Sequence, residues 1–415
     1  MTAIDPKPLT NALPPLSSEE ILEIGGKCLL GNVNRLPLAF VRGEGTRLYD
    51  AEGREYLDFV QGVAVCAFGH APAFMAEVLK EQAGKLVQVS NLYYNEPLVR
   101  LAKLLTEASG LPRAFFSNSG AEANECAFKM ARKHGFDRDG LKRTNIVSAI
   151  NSFHGRTMGA ISLTGQEKLH EGFRPLVPGI SFVPYGDLPA LDKAVDDTVA
   201  GVILEPVQGE GGVAVPPEGY LGDAAKLIRD RGALLILDEV QTGLGRTGED
   251  FAFRHFDVTP DILTLGKALG SGYPIGATLS SEDASKALGP GSHSTTVGGA
   301  PLSMAVALEL ATRILDPAFL EDVRAKGRHL KDGLDLLKSR FPELVSEVRG
   351  IGLLLGLALG SPAEGYSVAL RDRGILVNAT AGNVLRFLPP LTVSVSEIDY
   401  LLDALAAVLS LKPRE

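Results

Sequence analysis

Short, mainly apolar runs recur through the middle of the chain, at Ala114-Phe115-Phe116, Asn145-Ile146-Val147-Ser148, Gly201-Val202-Ile203-Leu204 and Ala233 to Leu237. Helix patterns separate them. Strands covered on both faces read this way, so the stretch from about Gly62 to Ile314 predicts a mostly parallel sheet flanked by helices. Ahead of it, Leu38 to Val41, Thr46 to Asp50 and Tyr56 to Phe59 read as strands, with a turn at Asp50-Ala51-Glu52-Gly53. From about Asp316 onward the pattern predicts a helix, then two or three strands (Val345 to Ala358, Val377, Val384 to Phe387). A closing helix from Ser396 to Leu411 completes a second α/β unit.

A chain of 415 residues is too long for one simple core. The pattern divides it into a loose arm over 1–17, the first part of a small domain over 18–61, a large domain over 62–315, and the rest of the small domain over 316–415. Charged residues make up 22% and the net charge is -9, without a basic stripe, which argues against nucleic acid as a partner. Cys28, Cys66 and Cys126 are odd in number and widely spaced. They read as thiols of a reducing compartment, buried or bystander, rather than as a disulfide framework. The proline-rich start lacks the basic-then-apolar order of a secretory signal, and Ile351 to Leu359 is too short to span a bilayer. The expected location is the cytoplasm, away from membranes.

The candidate chemistry sits at predicted strand ends, where open α/β sheets bind ligands. Asp238 closes the run Leu234 to Leu237, and Lys267 lies in the glycine-rich stretch Thr264 to Gly272. A lysine amine can form a Schiff base with the aldehyde of pyridoxal phosphate. An aspartate paired with the pyridine nitrogen keeps that ring an electron sink. Taken singly, a solvated lysine and a helix-capping acid are the simpler readings. Ser117 to Asn124 follows a strand and opens a helix, so Ser119, Gly120 and Ala121 are placed to receive an anion; on spacing alone, a capping box of Ser119 with Glu122 suffices. Asn151 to Thr157 offers Phe153 for stacking and Arg156 for a carboxylate, or is a plain loop. Glu205 begins a loop too glycine-rich for helix and wants a cationic partner, for which Arg386 is a candidate. His293 to Gly299 offers hydroxyls to phosphate, or is an ordinary polar loop. Gly243 to Gly248 has dinucleotide-binding spacing, but no strand directly precedes it and no convincing helix follows. The seven histidines show no metal-binding spacing, so no metal is expected.

Together these motifs resemble the class III aminotransferases, the fold-type I pyridoxal-phosphate enzymes that act on ω-amines, from about Asn34 to the C-terminus. The segments Gly62 to Val65, Gly69-His70, Ser90 to Pro97 and Phe115 to Asn124 look most like the acetylornithine type. The resemblance implies a fold-type I α/β transferase. Its large domain holds a mostly parallel sheet of the seven-stranded type, and its N- and C-terminal segments form a smaller α/β domain. It implies that Lys267 holds pyridoxal 5'-phosphate and shuttles a proton, with Asp238 on the ring nitrogen, Val240 and Phe153 on the two ring faces, and Gln241 on the phenolic oxygen. Ser119, Gly120 and Ala121 would bind the phosphate, joined by Thr295 and Thr296 from the partner subunit of a homodimer with shared sites. Arg156 and Tyr93 would contact substrate, and Glu205 would pair with Arg386 and gate it. The implied reaction moves the amine of N-acetylornithine to 2-oxoglutarate in arginine biosynthesis. Ornithine, succinylornithine, 4-aminobutyrate or a carrier-linked lysine-pathway amine are alternative donors, and a catalytically dead scaffold homologue is the alternative of another class. Val297, Ala300, Cys66 and Ala71-Pro72-Ala73 depart from the family pattern without removing a catalytic group.

Overall fold

The computed structural model describes residues 13–411, so the first twelve residues of the expected arm lie outside the described residues. In chain order the strands are β1 (Phe40–Glu44), β2 (Arg47–Asp50), β3 (Glu55–Asp58), β4 (Arg113–Ser117), β5 (Asn145–Ala149), β6 (Ile180–Val183), β7 (Val199–Leu204), β8 (Leu234–Asp238), β9 (Ile262–Leu265), β10 (Gly276–Ser280), β11 (Val345–Ile351), β12 (Leu354–Leu359), β13 (Ile375–Leu376), β14 (Asn378–Thr380) and β15 (Val384–Phe387). Seven of them form the central sheet in the order β4-β10-β9-β8-β7-β5-β6. β10 runs antiparallel to both its neighbours, and the remaining pairs are parallel.

Every residue of β7, β8, β9 and β10 is buried, which is why these runs show no polar face. Their side chains alternate between two cores. Ile203, Ile236 and Ile262 pack with Cys126, Ala127, Met130 and Ala131 of the Gly120–Asp139 helix. Val202, Leu204, Leu235 and Leu237 pack on the other face with Leu221, Ala224 and Ile228 of the Tyr220–Asp230 helix. Truncating one of these isoleucines to alanine costs about 2–5 kcal/mol.

Two smaller sheets flank this body. β1, β2, β3 and β13 form one, with β13 parallel to β3, so residues from both ends of the chain share a sheet. β11, β12, β15 and β14 form an antiparallel sheet that carries Arg386 on β15. Val377, expected within a strand, is the single residue between β13 and β14, where the chain leaves one sheet for the other. The helix after Ser119 runs to Asp139, past the expected end near His134, through Gly135, where a side chain would clash with the Arg143 carbonyl, and ends at Gly140 at φ +64. Gly243 to Gly248 serves as a joint: Arg246 is fully buried and its Nη1 donates to the carbonyls of Leu353 and Pro389. Among the described residues no helix is long and apolar enough to cross a membrane.

Candidate active site

The carboxyl ends of β4, β5, β7, β8 and β9 open toward one cavity of about 300 Å³, lined among others by Phe153, Glu205, Asp238 and Lys267. Asp238, the last residue of β8, is 5% exposed and tightly held. Its Oδ2 accepts hydrogen bonds from Asn124 Nδ2 and His154 Nδ1, each at 2.7 Å, and its Oδ1 accepts the Val240 N–H at 3.0 Å. Asn124 is fixed in turn, since its Oδ1 accepts from Thr264 Oγ1 at 2.7 Å and its Nδ2 also donates to the His154 carbonyl at 2.8 Å. A buried carboxylate survives only with such donors.

Lys267 follows β9 at φ +42, a left-handed conformation that costs a non-glycine residue about 1–2 kcal/mol. Burial pushes its amine down to about 8, with Glu210 pulling the other way. The neutral amine therefore predominates above roughly that pH. Gly120 begins the 20-residue helix whose first turn, with Ala121, lines the cavity. A Cβ at Gly120 would lie 2.5 Å from Val240 Cγ1, so only glycine lets the helix terminus approach this closely. Ser119 itself caps the helix, its Oγ accepting the Glu122 N–H at 3.2 Å, and it does not line the cavity.

The acids on the loop after β7 differ from the expectation. Arg386 is not paired with Glu205: its Nη1 donates to Glu210 Oε1 at 2.7 Å. Glu205 instead accepts the Phe153 N–H at 3.2 Å. Burial, then the charge of Asp238, raises the Glu205 carboxyl well above the usual range, which disfavours the charged form a guanidinium would need. Burial of Glu210 also works to raise it, but Arg386 more than offsets this and keeps Glu210 ionised. The sequence run Glu205 to Gly212 holds two acids, and the register of the loop, not strand-end position, decides which one reaches β15. Arg156 is exposed, stands 5.4 Å from the Phe153 ring centroid, and has no carboxylate partner among the described residues. It lines both the cavity and an adjoining hollow of about 1100 Å³. Tyr93, Thr295 and Thr296 do not line the cavity. Tyr93 is 68% exposed, Thr295 Oγ1 accepts from Asn118 Nδ2, and the Thr296 carbonyl accepts from Gln88 Nε2.

The aminotransferase class-III family profile matches residues 30–409. The chain belongs to the class-III aminotransferases. It is 46% identical to the acetylornithine aminotransferase of Caldanaerobacter subterraneus subsp. tengcongensis over 92% of this chain and 98% of that one. It is 45% identical to that of Methanothermobacter thermautotrophicus over 95% and 100%. Among solved structures, the ornithine aminotransferase of Toxoplasma gondii superimposes with a TM-score of 0.92 at 33% identity, covering 97% of this chain and 96% of that one; that structure is described with pyridoxal phosphate partly occupying its active site.

The residues of this class-III aminotransferase fit that cofactor. Gln241 lines the cavity with both amide atoms buried and unpartnered. The Gly120–Ala121 terminus suits a phosphate, Asp238 a ring nitrogen, and the Lys267 amine an aldehyde. His154 and Asn124 are the functional residues that sequence reading left without a role. Both stand inside runs singled out for other members. What points to them is the demand of Asp238 itself: a fully buried acid requires donors, and the segments beside it supply one histidine and one asparagine.

Proposed function

We propose that this class-III aminotransferase uses pyridoxal 5'-phosphate to transfer the side-chain amino group of N-acetylornithine to 2-oxoglutarate, in arginine biosynthesis in the cytoplasm. The observation that carries the reading is Lys267, its amine shifted toward the neutral form, in one cavity with the donor-held Asp238. Identities of 45–46% over nearly the full length of acetylornithine aminotransferases support the donor.

Pyridoxal phosphate, when bound, supplies an aldehyde for the amino group and a ring that delocalises the electron pair left by proton removal. Asp238 holds a proton on the ring nitrogen, and His154 with Asn124 keeps the carboxylate aimed. Lys267 Nζ moves the proton off the substrate carbon. Phe153 and Val240, which line the cavity, would exclude water from the cofactor ring, and Gln241 would satisfy its phenolic oxygen. Arg156 binds the α-carboxylate of the donor, with the acyl group directed into the adjoining hollow. Glu210 neutralises Arg386 while the uncharged distal part of the donor lies beside it. It releases Arg386 when glutamate or 2-oxoglutarate brings a carboxylate to that place.

The working unit is a homodimer. Leu92, Tyr93 and Tyr94 are 82%, 68% and 91% exposed, and Asn91 Nδ2 ties their segment to Thr295 O beside the exposed Val297. A cluster of exposed apolar side chains suits a second copy of the chain, which brings Thr295, Thr296 and Tyr93 to the partner's site. A fully active monomer in sedimentation equilibrium overturns this. For the reaction, a screen of ω-amines with 2-oxoglutarate gives N-acetylornithine the highest kcat/KM. A higher value for ornithine, succinylornithine or 4-aminobutyrate reassigns the donor.

A further inference from the structure

We propose that Glu125 is a positioning residue for Arg156. It anchors the turn that carries the guanidinium to the helix whose first turn suits the cofactor phosphate, and so sets the span open to the donor between its reacting end and its carboxylate. The inference rests on the roles proposed above for Arg156 and for the Gly120–Ala121 terminus. Arg156, Thr157 and Met158 are exposed, while Gly155 before them and Gly159 and Ala160 after them are buried. The turn is therefore pinned at its two ends, and both pins lie on one helix. At the first, Gly155 stands at φ +134, and a Cβ there would lie 2.7 Å from Ala121 Cβ. Only glycine permits both that conformation and that approach. At the second, Glu125 Oε1 accepts the Thr157 hydroxyl at 2.5 Å and the N–H groups of Gly159 at 2.9 Å and Ala160 at 3.3 Å. A Cβ at Gly159 would lie 2.2 Å from Glu125 Oε2, so the contact again needs glycine. Ala121 and Glu125 stand four residues apart in the Gly120–Asp139 helix, neighbours on one face.

These contacts supply what the Arg156 side chain lacks. The guanidinium is exposed and has only the Phe153 ring near it, at 5.4 Å to the centroid. Its placement over the cavity therefore falls to its backbone, and Glu125 holds that backbone. A fork that grips a carboxylate through paired bonds is sensitive to such placement, since a misplacement of about 1 Å already lowers binding and rate steeply. Glu125 shares the capping of the short Met158–Leu163 helix with Thr157, whose Oγ1 accepts the Ala160 N–H at 3.4 Å. Thr157 keeps that cap when Glu125 is truncated, so the turn before the helix loosens first. The phosphate cradle and the carboxylate clamp are thus referenced to neighbouring turns of one helix. A cap that served stability alone would affect every substrate alike. An anchor for Arg156 affects only substrates with a carboxylate to place.

The test measures binding of N-acetylnorvaline to the holoenzyme by titration calorimetry. This probe has the carboxylate and acyl group of N-acetylornithine but no side-chain amine, so it binds without reacting. Arg156→Ala weakens its binding by about 10–100-fold, and Glu125→Ala by about tenfold. Adding Glu125→Ala to Arg156→Ala weakens it by no more than about twofold further, because the anchor then holds nothing. Gly159→Ala, which drives a methyl group against the Glu125 carboxylate and leaves its charge in place, reproduces the loss of about tenfold. Single-turnover rates with n-pentylamine, an amine without a carboxylate, stay within about twofold of wild type in Glu125→Ala. A probe weakened by Arg156→Ala and indifferent to Glu125→Ala overturns the inference and leaves the role of Arg156 standing. A probe indifferent to Arg156→Ala overturns that role and the inference with it. Additive losses in the double variant, or equal losses with N-acetylornithine and n-pentylamine in Glu125→Ala, make Glu125 a structural cap and overturn the positioning role.

Discussion

Asp238 and Arg386 are buried opposite charges beside one cavity, held in contrasting ways. Asp238 receives three hydrogen bonds, from the Gly120–Asp139 helix, the segment after β5 and its own backbone, and one of those donors is itself pinned by β9. Removing any single partner leaves the others in place. Arg386 is 1% exposed, yet its strong contact is one carboxylate, Glu210, on a loop and 30% exposed, with only a long 3.4 Å bond to Asn378 beside it. A buried charge that loses its one partner costs several kcal/mol unless a replacement arrives. The first arrangement suits a group that must stay charged and fixed through the whole reaction. The second suits a group that changes partner between substrates.

Lys267 stands between the two, and its removal gives the largest effect. Lys267→Ala abolishes turnover and the absorbance of covalently held cofactor, while the thermal melting temperature stays within a few degrees of wild type, since the lesion touches no core contact. Borohydride reduction of the native holoenzyme fixes the cofactor to the Lys267 peptide; label on another lysine sinks the assignment. In the cofactor-free protein, the rate of cofactor uptake rises with pH through about 8, because the folded amine is depressed and only its neutral form attacks the aldehyde. A midpoint near the ordinary lysine value would falsify the burial argument.

Next comes the fixed pole. Asp238→Asn removes a charge required in both half-reactions, so single-turnover rates with N-acetylornithine and with glutamate fall alike, by roughly 10–100-fold. His154→Gln keeps the charge and loses one of its holders, so both rates fall about tenfold or less, and the spectrum of bound cofactor shifts with pH differently from wild type. Unequal losses for the two donors in either variant would erase the distinction between a fixed pole and a switching one.

The sequence carried most of the fixed pole and misread the switching one, for physical reasons. Strands buried on both faces announce themselves as apolar runs, so β7 and β8 and the acids at their ends were legible. Asp238 is covalently placed by the strand it terminates. Glu210 is placed by a loop, where the sequence names two acids and only tertiary packing selects between them. Glu205 is the better candidate by strand-end position, but burial beside Asp238 disfavours its charged form, a matter of environment that no local pattern encodes. His154 and Asn124 carry no local signal of their role, because their partner is more than 80 residues away, at separations of 84 and 114. The antiparallel placement of β10 between β4 and β9 is likewise a long-range choice with no signature in the run Gly276 to Ser280.

The most selective expected effect, confined to one half-reaction, tests the switching pole most directly. Glu210→Gln keeps the size of the side chain and removes its charge, so the Arg386 guanidinium becomes permanently available. Glutamate then finds a carboxylate clamp that no longer has to be opened, and its half-reaction holds or speeds up. N-acetylornithine, whose distal chain carries no carboxylate there, must lie against an unneutralised buried cation, and its half-reaction slows by about tenfold, as expected for one charge-assisted contact of ~1.5–3 kcal/mol set against partial solvent rescue. Glu205→Gln serves as the control. Its carboxylate accepts the Phe153 N–H rather than contacting Arg386, and burial disfavours its charge, so replacing it leaves the ratio of the two half-reactions within about twofold of wild type. Opposed shifts in Glu210→Gln with a flat ratio in Glu205→Gln assign the gate to Glu210. The reverse pattern returns it to Glu205, and parallel losses in both variants mean that neither acid switches and that the Glu210–Arg386 pair only holds the loop against β15.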